Sequence, residues 1–126
     1  MKLETEDIGQ NPDRALYGRV LGILQDSDKF GAFRDLLASQ GIGEIETLEG
    51  LAGIARLEEW KEEVAHYFFG DMEGKMLDRY LDAAKERLTV FSIVVESDAA
   101  NGIAGIAKAN GAVQVAHFGN SVITNY

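Results

Sequence analysis

The chain has 126 residues and a formal net charge of −9, long enough for one domain with a real core and carrying a surface that repels phosphate backbones. No basic patch offsets that charge, so nucleic acid is not an expected partner. The absence of cysteine excludes disulfides, thiolate metal sites and cysteine nucleophiles, and fits a cytoplasmic protein.

The first residues, MKLETEDIGQNPD, are acidic and polar, where a secretion signal would have a basic start and an apolar run. No later window offers the roughly 18 uninterrupted apolar residues of a membrane helix, so no membrane insertion is expected. Residues 1–15 are expected to be a flexible lead-in. From Leu16 to Leu24 the chain turns apolar and predicts a mostly buried strand. Asp26 or Ser27 can cap a helix that follows, with Phe30, Phe33, Leu36 and Leu37 at helical spacing and Gly41 at its end. A short second strand is expected over Ile42–Leu48, with Ile45 as its apolar anchor.

Leu51–Leu88 has a different character. Ile54, Leu57, Trp60, Val64, Tyr67 and Phe68 recur at three-to-four spacing, and Met76, Leu77, Tyr80, Leu81 and Ala84 repeat it after Gly70-Asp71. This predicts a helical hairpin whose outer faces carry many acidic and basic side chains.

The stretch Leu88–Asn120 then copies Gly18–Gly50 without a gap at an offset of 70 residues, pairing Val20 with Val90, Ile23 with Ile93, Ser27 with Ser97, Asp28 with Asp98 and Gly41 with Gly111. Residues 16–50 and 88–126 are therefore two β-α-β units of one domain, separated by a helical insert at 51–87. The expected fold is α+β: a ferredoxin-like four-stranded antiparallel sheet with helices on one face. An open, mainly parallel sheet is the alternative. Gly102 and Gly105 should each cost the second helix roughly 1 kcal/mol, which predicts close packing around them against the sheet or a second subunit.

Between Leu88 and Tyr126 only Glu96, Asp98 and Lys108 are charged. An apolar sheet face carrying residues such as Phe91 and Phe118 demands a cover, either the central helices or a second subunit. Self-association as a homodimer or higher oligomer is expected, with Tyr67 and Phe69 of the aromatic cluster as further contact candidates.

VLGILQDSDKFGAFRDLL (Val20–Leu37), WKEEVAHYF (Trp60–Phe68) and VFSIVVESDAANGIAGIAKANGA (Val90–Ala112) resemble the bacterial heat-induced or general stress protein domain. That resemblance implies a small stress-related module. Where the family often carries a glycine-zipper apolar segment between its halves, this chain has charged helices.

No Gly-rich phosphate loop, Ser-His-Asp spacing or acid/base carboxylate pair stands out, so no catalytic or cofactor-binding residue is assigned. Glu63-x-x-His66 has the spacing of an iron or manganese ligand pair in a carboxylate bundle, with Asp78, Asp82 or Glu86 as further ligands from the facing helix. A solvated or interface histidine needs no metal to explain it. His117, in the last strand of the repeat, is a hydrogen-bonding or pH-sensing candidate. Three functions follow: a non-enzymatic, self-associating, stress-related binding or regulatory module; a metal-dependent oxidoreductase or storage protein using Glu63 and His66 in a dimeric bundle; and a structural subunit of a larger assembly.

Overall fold

A computed structural model describes residues 16–65, 70–119 and 123–126. Strand β1 (Arg19–Leu24) leads through a 3-10 turn at Ser27–Lys29 into helix α1 (Phe30–Ser39), followed by β2 (Glu46–Leu48). Helices α2 (Gly50–Val64) and α3 (Gly70–Lys85) come next. Then β3 (Thr89–Val94), a second 3-10 turn at Ser97–Ala99, α4 (Ala100–Ala109), β4 (Ala112–Phe118) and β5 (Ile123–Asn125) complete the chain. The fold is α+β. Its five strands form one antiparallel sheet in the order β2-β3-β1-β4-β5, one strand more than the two units alone predict. The mainly parallel alternative does not hold.

Local chemistry explains the boundaries. The amide of Asp28 donates to the Asp26 side chain at 3.0 Å, satisfying one free donor at the start of the helical segment. After α1, Gly41 adopts a φ of +85°, and the Ile42 amide reaches back to the carbonyl of Leu37 at 2.9 Å. Gly111 plays the same part after α4, with φ +88°. Both are left-handed positions at which a Cβ would be strained. The strand expected over Ile42–Leu48 shrinks to three residues, and its anchor is the fully buried Leu48 rather than Ile45.

Helices cover the sheet on both faces. Val20, Leu24, Phe91, Ile93 and Val115 pack with Phe33 and Leu37 of α1 and with Ile103, Ala104 and Ala107 of α4. On the other face Leu21, Ile23, Leu48, Val90 and Phe118 pack with Leu57, Trp60 and Val64 of α2 and with Leu77, Tyr80 and Leu81 of α3. Phe91 meets Phe33 edge-on at 4.9 Å between ring centroids, and Phe118 meets Tyr80 at 6.4 Å. This corrects the interface expectation for two residues: Phe91 and Phe118 are wholly enclosed within the chain itself. The helical insert supplies the cover for which a second subunit was one candidate. Tyr67 and Phe69 lie outside the described residues.

The pairing of β1 with β4 is irregular. Leu21 faces Ala116 but Ile23 faces Val113, so β4 carries one extra residue. Gln114 takes a φ of +54° there, its carbonyl accepting the Tyr80 hydroxyl at 2.5 Å. This is a bulge held from above by a helix side chain. Burial pushes the Tyr80 phenol well above its ordinary pKa.

Candidate functional site

β1 places an arginine where a strand in a sheet covered on both faces ordinarily has an aliphatic residue. Arg19 is 3% exposed, and a buried cation needs partners to offset lost hydration. Its Nη1 donates to Ser92 Oγ on β3 at 2.8 Å and to Glu46 Oε1 on β2 at 3.1 Å. Its guanidinium also lies 5.2 Å from the ring centroid of Trp60 on α2. One turn earlier on α2, the guanidinium of Arg56 sits 4.9 Å from the same ring. Its Nη2 donates a long hydrogen bond of 3.4 Å to the same Glu46 Oε1, and its Nε lies 3.4 Å from Oε2. Two cations thus flank one aromatic ring, an arrangement favoured by the ring quadrupole and by the weak hydration of guanidinium.

These side chains line a cleft of about 330 Å³ at one end of the sheet, bounded by Arg19, Glu44, Ile45, Glu46, Arg56, Ser92 and Val94. Edge strand β2 is short, so Glu46 is held by only three paired residues, and its side chain remains 38% exposed. Arg56 Nε is buried and has no hydrogen-bond partner among the described residues. Glu44 stands in solvent at the rim. Chemically the cleft offers planar, charged donors on a rigid wall of strands and one helix, the geometry that recognises a carboxylate in two-point fashion.

Glu63, one half of the expected metal pair, is partly buried in the last turn of α2. Its carboxylate accepts a hydrogen bond from the Leu16 amide, burial raises its pKa from the ordinary carboxylate value, and Oε1 has no hydrogen-bond partner among the described residues. Nearby in sequence to that contact, Tyr17 donates to the buried Glu73 of α3 at 2.8 Å. Asp78 pairs instead with Lys61, and Asp82 lines a shallow charged groove between α2 and α3 with Glu58, Lys61 and Glu62. Glu63 is not among the residues of that groove. His66 lies outside the described residues, and among those described no three His, Asp or Glu side chains converge as a metal site.

His117 faces the α1/α4 side of the sheet, opposite Val20 on β1 and Thr124 on β5. It is an interior strand position, not a sheet edge, and burial lowers its pKa.

The sequence reading missed Arg19, Glu46, Arg56 and Ser92. One signal was present: an arginine inside the apolar run YGRVLGIL, in a strand that burial demands be apolar. Arg56 and Trp60, four apart on one helix, were a second. Their convergence with Glu46 and Ser92 depends on strand register, which no local pattern encodes.

Among the described residues no helix is long and apolar enough to cross a membrane. No protein-family model, no curated protein and no solved structure matches the chain.

Proposed function

We propose that the chain is a non-enzymatic binding module whose ligand occupies the Arg19–Arg56–Ser92 cleft, in a domain with a ferredoxin-like core of β2-β3-β1-β4 extended by β5. The strand order, the antiparallel register and the two helices α1 and α4 on one face support the core arrangement. The observation that carries the functional reading is the cleft itself: about 330 Å³, within the size range of small-molecule sites, with a few fixed polar groups on a rigid frame. Paired cations and a carboxylate already engaged by both suit holding a ligand better than moving a proton.

A mixed fragment library, followed by amide chemical shifts of the labelled protein, tests this. Binding is expected to move the amides of Ile45, Ser92 and Val94 together. Shifts confined to the groove between α2 and α3, or none at all, would overturn it.

A further inference from the structure

We propose that the group recognised in this cleft is a carboxylate of a small organic acid, and that it binds where the carboxylate of Glu46 now sits. The inference rests on the cleft being a ligand site and names what that site takes. Arg19 Nη1 and Arg56 Nη2 converge on one oxygen of Glu46, at 3.1 and 3.4 Å, while Arg56 Nε approaches the other at 3.4 Å. The chain has therefore built a two-arginine carboxylate receptor and filled it with its own side chain.

Three features make that occupant exchangeable. Its contacts are long for charge-assisted hydrogen bonds, which are best near 2.7–2.9 Å. Arg56 Nε pairs with Oε2 only as an ion pair at 3.4 Å and makes no hydrogen bond among the described residues. Glu46 stands on a three-residue edge strand, with its side chain 38% exposed, so rotating it into water costs little hydration. The receptor cations cannot leave so easily: Arg19 is bonded to Ser92, and both guanidiniums flank the buried Trp60 ring. Displacement conserves charge, because one carboxylate replaces another between the same two cations. Glu44 at the rim is solvated and screened, and opposes entry only weakly.

An internal competitor lowers apparent affinity by the fraction of time it occupies the site. Glu46→Gln keeps the shape and an acceptor oxygen but removes the competing charge. Trp60 is the only tryptophan, and both receptor guanidiniums lie against its ring, so its fluorescence reports their environment. Titrations of succinate and benzoate are compared with succinamide, benzamide and inorganic phosphate at constant ionic strength. They use wild type, E46Q, R56Q and R56K, with circular dichroism confirming that each is folded.

The expected result is carboxylate binding at least about tenfold tighter in E46Q than in wild type. It should be weakened in R56K, lost in R56Q, and absent for both amides with every variant. Four outcomes overturn the proposal: no carboxylate response in folded E46Q; equal binding of the amides; phosphate binding in place of the carboxylates; or binding that survives R56Q. If neutral library fragments still move the Ser92 and Val94 amides while carboxylates do not, the anion assignment falls and the ligand cleft stands. If neither binds, both fall.

Discussion

In the first β-α-β unit Val20 packs under α1, whereas its counterpart in the second, Val90, lies on the opposite face beneath α2 and α3. The opening strands and helices otherwise match in extent: β1 and β3 are each six residues long, α1 and α4 each ten, and their bounds differ by 70. In the helices the agreement extends to packing, with Phe33 and Ile103 buried at the same step, and likewise Leu37 and Ala107. In the closing strands it holds too, Leu48 and Phe118 both joining the α2/α3 face. Only the opening strands are out of phase.

The difference follows from periodicity. A helix that keeps its spacing keeps its buried stripe, but a strand has a side-chain period of two, so a one-residue change in the strand-to-helix turn inverts both faces. The second unit makes that turn one residue shorter relative to its packing, Leu24 and Val95 being the last residues directed toward α1 and α4. In β4 the extra residue at the bulge brings the C-terminal half of the strand to the same faces as β2. The slip has consequences: it sets Phe91 opposite Gly22 on the α1/α4 face, and Arg19 and Ser92 together on the other.

The strongest way to break this comparison is at the Phe91–Gly22 pair. Phe91→Ala empties a fully buried site and is expected to cost about 3–5 kcal/mol in denaturant unfolding. A Cβ added to Gly22 would lie 2.5 Å from the Phe91 ring, so Gly22→Ala should cost about 1–3 kcal/mol as overpacking. The decisive quantity is their coupling: Gly22→Ala made in the Phe91→Ala background should cost much less than in wild type. Additive effects would mean the two strands are not in the register described.

A smaller effect sharpens the contrast between the helices. Gly102 and Gly105 of α4 correspond to Ala32 and Asp35 of α1. Close packing was expected around them, yet both face outward and a Cβ at either meets nothing within 4 Å. Among the described residues nothing recovers their helix cost. Gly102→Ala and Gly105→Ala should each stabilise the protein by about 1 kcal/mol and raise Tm. If either instead shifts the sedimentation profile toward smaller species, this face, with Leu36 of α1 46% exposed, is a contact between copies.

The smallest effect compares His117 with its counterpart Thr47, both directed to the α1/α4 face. Burial holds the folded His117 pKa below its unfolded value near 6.5. The neutral ring's contribution to stability is therefore present above that unfolded value and is lost as pH falls through the lower folded one. His117→Gln should flatten unfolding free energy between about pH 7 and 5. An unchanged slope would assign the pH dependence to other groups.

The order of elements, the repeat and most of the core were legible because they rest on local regularities: apolar spacing, an aspartate at a helix start, and glycine where φ must be positive. Leu57, Trp60, Leu77 and Tyr80 were expected inward and are inward. The metal pair rested on spacing too, which does not say that Glu63 accepts a hydrogen bond from Leu16, and its partner His66 lies outside the described residues. The cleft was illegible for the same reason: Arg19, Glu46, Arg56 and Ser92 come from β1, β2, α2 and β3, and only pairing brings them together. The sequence by itself determined the order of helices and strands in the two units and that the units come twice. The tertiary structure alone decided which face each strand shows, because a single residue in a turn or bulge reverses it, and with that choice came the two arginines around one carboxylate.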